Sequence, residues 1–153
     1  MTLQNTSART DFLSSGFIMA AICAGLWINL SEIARYFLLV RPMMQEAFPM
    51  VADIAPINVP IFLSWMVWDT ILVFATSLIV WLLLDRFGSS TRNAVLSGTF
   101  VWAAIFVILW LGLLNLGLAN QALLMVALPL AWFELVIAAI IIKVCRERYS
   151  KRA

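Results

Sequence analysis

Three acidic residues stand inside stretches that otherwise hold little but hydrocarbon: Glu32, Asp69 and Glu134. A charge near the centre of a bilayer costs roughly 2.5–3.5 kcal/mol even on lenient insertion scales, so such groups turn toward a bundle interior, a cavity or a partner. Arg35 follows Glu32 by three residues, in the acid-before-base order that favours an ion pair. No Lys or Arg falls at similar depth on the helices of Asp69 or Glu134, and one guanidinium cannot neutralise three carboxylates. At least one acid is therefore expected to carry a proton at neutral pH, which makes it a candidate for proton coupling.

The neighbours of these acids form faces. Gly25, Asn29, Glu32 and Tyr36 recur at spacings of four, three and four, which places them in a strip about 60° wide on a helix. Phe62, Trp65, Asp69, Val73 and Thr76 share a second face. Ser97, Val101, Ala104, Ile108 and Asn115 share a third, and Ala127, Leu130, Glu134, Ala138 and Ile141 a fourth. Small residues around Glu134 would let helices approach closely in lipid. The candidate binding set is Asn29, Glu32, Arg35, Tyr36, Asp69, Asn115 and Glu134, with most of it in the outer half of the membrane and Glu134 somewhat deeper. Trp27, Trp65, Trp68 and Trp132 would line the pocket, where aromatic faces suit a cationic or amphipathic ligand. In the competing reading these tryptophans fill gaps in the bundle and the ion pair fixes packing.

The elements that must position these groups are membrane spans. The chain has 153 residues, 64% hydrophobic and 12% charged, against about 45–50% and 25% in an ordinary soluble domain. A span needs about 20 mostly apolar residues. Four stretches qualify, at about 13–40, 60–84, 94–118 and 121–142, so the expected fold is all-α: a polytopic membrane protein with a single domain, an antiparallel bundle of four transmembrane helices. Pro60 suits a first helical turn, Asp85-Arg86-Phe87-Gly88 ends the second span, and Asn120-Gln121 marks a tight turn between the last two. Residues 41–59, with three prolines and a fourth at position 60, are too broken to span and are expected to form an interfacial loop, with one short helix near residues 44–48.

Basic residues accumulate in cytoplasmic loops. Arg9, Arg86, Arg92, Lys143, Arg146, Arg148, Lys151 and Arg152 fall on one side of the expected topology and only Arg41 on the other. Both termini are thus expected in the cytoplasm, and the steep bias in so short a chain suggests a bacterial inner membrane. The sequon Asn5-Thr6-Ser7 would then be silent.

Several classes fall away. The net charge of +2 is too small to suggest nucleic acid. With no histidine, paired-His haem ligation is excluded and zinc peptidase chemistry lacks its ligands. No mid-membrane lysine offers a Schiff base for retinal. Cys23 lies in an apolar run and Cys145 in the basic tail, so no disulfide is expected. Neither a metal site nor a cofactor is indicated, nor a nucleophile set for an enzyme. Two functional classes remain. The first is a small transporter or binder of a small cation, proton or amphiphile through the intramembrane carboxylates. The second is a non-catalytic accessory or assembly subunit. The expected partners are the lipid bilayer and either a second copy or a larger membrane complex.

Overall fold

The computed structural model describes residues 15–51 and 58–150. The sequon, Arg9, the last two basic residues and residues 52–57 of the proline-rich segment lie outside the described residues. The described chain is all-helical, and four helices are long and apolar enough to cross a membrane: α1 (Ser15–Ala47), α2 (Val59–Phe87), α3 (Thr91–Asn115) and α4 (Gln121–Ser150). The protein is an integral membrane protein by this criterion. Large apolar side chains such as Leu26, Leu30, Val67, Ile71, Ile108 and Met125 project outward, as a lipid-facing surface requires.

Local chemistry sets the helix ends. Asn58 accepts from the Ile61 N–H at 3.1 Å and opens α2, with Pro60 in the first turn. Gly88, at φ +91°, closes α2, and Ser90 opens α3 by accepting from Asn93 N–H. Asn93 ties the corner by donating to the carbonyls of Phe87 and Gly88 at 2.6 and 3.0 Å. At the far end of α3, Gly117 (φ +72°) lets Leu118 N–H reach the Leu113 carbonyl while its own N–H reaches Leu114. This satisfies carbonyls a helix terminus leaves bare. Asn120 then caps α4 through Leu123 N–H at 2.8 Å.

Two helices contain a widened, π-type turn. In α1 it covers Tyr36–Val40, where Arg41 N–H bonds to the Tyr36 carbonyl. The wider turn immediately precedes Pro42, whose ring and missing N–H would break a regular helix. Residues 41–47 therefore continue α1 instead of starting the interfacial loop, and the helix runs past the expected boundary at 40. In α3 the widened turn covers Trp102–Val107. It adds a residue to one turn and rotates everything after it, so the face counted at a steady 100° drifts out of phase. Ser97 and Val101 are buried as expected, but Ala104, Ile108 and Asn115 are exposed, and Phe106 takes the inward position.

Consecutive helices run in opposite directions. Gly16 lies against Tyr149 and Ser31 against Glu134, pairing the start of α1 with the end of α4. Phe17 meets Trp81 edge to face at 5.6 Å and Tyr36 meets Trp65 at 5.1 Å, pairing α1 with α2 in the same sense. Helix α4 is the most enclosed. Ala127, Ala131, Leu135, Ala138, Ala139 and Ile142 are buried against α1 and α3. On α3, a Cβ at Gly98 would stand 2.8 Å from the Leu135 carbonyl oxygen and 2.9 Å from Val136 Cα. Backbone meets backbone there, the close approach small residues permit.

Candidate functional site: an acid cluster beside an aromatic cleft

The stripe of α1 that packs hardest runs through Phe17, Ala20, Ala24 and Ile28 and continues to Ser31 and Arg35. Glu134 projects toward it from the centre of α4 and is 1% exposed. Ser31 Oγ donates to Glu134 Oε2 at 2.9 Å. Arg35 Nη2 lies 3.5 Å from the same oxygen and 3.3 Å from Glu32 Oε1, and its guanidinium stands 5.9 Å from the ring centre of Phe106. One cation thus bridges carboxylates from two helices. Both widened turns adjoin it: that of α1 begins at the next residue, and that of α3 supplies Phe106.

Asp69, 6% exposed, adds a third carboxyl from α2 and lines the same cavity as Glu32. Glu32 Oε2, Asp69 Oδ1 and Glu134 Oε1 are buried without a hydrogen-bond partner. Buried oxygens without a protein partner are costly, so the cluster holds more acceptors than its own side chains supply donors. Two turns along the same face of α2, Thr76 and Ser77 are fully buried with their hydroxyls also unpartnered.

A cleft between α1 and α2 reaches Glu32 and Asp69. One lobe of about 140 Å³ is lined by Asn29, Glu32, Phe62, Trp65, Met66 and Asp69. A second lobe of about 310 Å³ shares Glu32 and Trp65 and adds Arg35, Tyr36 and Trp110. Among the described residues, no three His, Cys, Asp or Glu side chains are arranged to hold a metal ion, and Tyr36, Phe62, Trp65 and Trp110 give the walls four aromatic faces.

The structure therefore brings Glu32, Arg35, Asp69 and Glu134 together and sets Asn29, Tyr36 and Trp65 in the cleft wall. The Glu134 side chain meets Ser31 and Arg35 of α1. Trp27 supports the cluster from behind by donating to the Glu134 carbonyl at 3.0 Å. Three residues stand apart. Asn115 is exposed at the end of α3, because the widened turn carries it off the inward face. Trp68 is 54% exposed and faces outward, since it precedes Asp69 by one residue and so points about 100° away. Trp132 donates to Thr99 Oγ1 at 3.0 Å and lines a separate apolar groove with Trp102 and Pro129. Ser31 and Phe106 were missed. Ser31 was legible as the only uncharged polar member of the series 20, 24, 28, 31, 35, whereas nothing in the sequence announces the turn that delivers Phe106.

No family model matches the chain, and comparison with curated proteins and with solved structures yields no match either. The functional reading rests on the geometry of the cluster.

Proposed function

We propose that this protein binds a small organic cation in the cleft between α1 and α2 and exchanges it for a proton held by the Glu32–Asp69 pair. The observation that carries this reading is a surplus of acid. Three carboxyls from three helices share one guanidinium, which pairs with Glu32 and Glu134 and leaves Asp69 without a cation, and each acid keeps an oxygen with no protein partner. A proton or a cation at the pair would offset that surplus, and either would exclude the other. Trp65, Phe62, Tyr36 and Trp110 around the cleft offer ring faces to a desolvated cation. The absence of metal-type clustering among the described residues favours an organic cation over a hard metal ion. In this reading both termini are cytoplasmic, as the basic residues suggest, the cleft lies in the outer half of a bacterial inner membrane, and the protein acts as a small transporter or binder.

The alternative, a non-catalytic accessory subunit, calls for a dry and fully paired polar core. Unpartnered oxygens beside an open cleft favour the binding site. The test is equilibrium binding of tetraphenylphosphonium to the protein in lipid nanodiscs across a range of pH. Affinity should tighten by about tenfold per pH unit wherever one proton is displaced, and Asp69→Asn should abolish that slope. Binding that is absent, or independent of pH in the unaltered protein, would refute the exchange.

A further inference from the structure

The end of the molecule opposite the acid cleft holds a second, chemically different pocket. Cys23 of α1 and Cys145 of α4, far apart in sequence and expected to be unrelated, line one cavity of about 590 Å³ together with Met19, Arg148 and Tyr149. Both cysteines are free and partly buried. Met19 precedes Cys23 by four residues, so the two sulfur side chains stack on one face of α1. The floor depends on Gly16. Tyr149 packs directly on it, and a Cβ there would stand 2.6 Å from Tyr149 Cγ.

We propose that Met19, Cys23 and Cys145 form a binding site for a soft monovalent metal ion, Cu(I). Thiolate and thioether donors select soft ions, whereas hard cations take oxygen. Structural zinc asks for four nitrogen or sulfur ligands, and this pocket provides three sulfurs. Binding converts two thiols and one Cu(I) into a bis-thiolate complex of charge −1 and releases two protons. Arg148 in the pocket wall complements that charge and favours the thiolates. The site is independent of the acid cluster, since Cys23 precedes Glu32 by nine residues, about 13 Å along α1.

The experiment is anaerobic competition between the reduced, full-length protein in detergent and the coloured Cu(I)–bicinchoninate complex, with the two thiols first counted by Ellman's reagent. The protein should withdraw one Cu(I) per chain. Cys23→Ser and Cys145→Ser should each weaken uptake by at least about 100-fold, the upper end of what even outer-shell changes cost, and Met19→Leu by about tenfold. Asp69→Asn and Met125→Leu should leave uptake unchanged. No withdrawal by a protein with two titratable thiols would overturn the proposal, as would uptake that survives both serine substitutions.

Discussion

Replacing Arg35 by alanine tests the cluster through its one cation. The guanidinium lies 3.3 Å from Glu32 and 3.5 Å from Glu134, and nothing else described carries positive charge to either. Its removal leaves Glu134, 1% exposed, with only the Ser31 hydroxyl. Breaking a buried ion pair from one side costs about 3–5 kcal/mol, mostly because the remaining charge is uncompensated. A kcal/mol moves the midpoint of a chain of this length by about 2–4 °C, so the variant should melt roughly 6–20 °C lower in detergent at neutral pH, followed by tryptophan fluorescence. Two further results follow if uncompensated charge is the cause. The deficit should shrink as the pH falls and the acids take up protons. Adding Glu134→Gln should restore most of the lost stability, because the amide needs no counter-charge. An unaltered melt, or a double variant no more stable than Arg35→Ala alone, would refute this account of the core.

Other substitutions probe separate links. Gly98→Ala should destabilise by about 1–3 kcal/mol, since its Cβ would meet the α4 backbone; Gly112→Ala, with nothing within 4 Å, should raise the melting midpoint through helix propensity, by about 0.8–1 kcal/mol. Ser31→Ala should cost about 1.5–3 kcal/mol, the worth of a hydrogen bond to a charged group, read from the same melts. Trp65→Leu should weaken tetraphenylphosphonium binding by about 0.5–2 kcal/mol, while Trp68→Leu, on the outward face, should leave it unchanged in the same nanodisc binding measurement.

Composition and period were enough to anticipate helices that can span a membrane and to point at the residues of the cluster. Hydrocarbon-rich stretches of this length have few alternatives in lipid, where every backbone polar group must be satisfied within the segment. The acids were conspicuous because a carboxylate among Leu and Ile has to be explained. Register was harder. The widened turns at Tyr36–Val40 and Trp102–Val107 each shift a helix face by one residue, which removed Asn115 from the expected site and brought in Phe106. Pro42 reads in sequence as a helix breaker, yet the widened turn before it makes room and α1 continues to Ala47. The meeting of Cys23 with Cys145 was hidden because it depends on how α1 and α4 lie together, a contact set by Gly16 and Tyr149 rather than by any motif.

The most direct measurement is carbodiimide labelling in membranes, read by peptide mass spectrometry. Carbodiimides react with carboxyls that are protonated and reachable from an apolar medium. A Glu32–Asp69 pair that shares a proton at the wall of an open cleft should be labelled on one of those two residues. Labelling should fall as pH rises and in the presence of tetraphenylphosphonium, and should be lost in the Glu32→Gln, Asp69→Asn double variant. Label on neither residue, or label indifferent to pH and cation, would contradict the account.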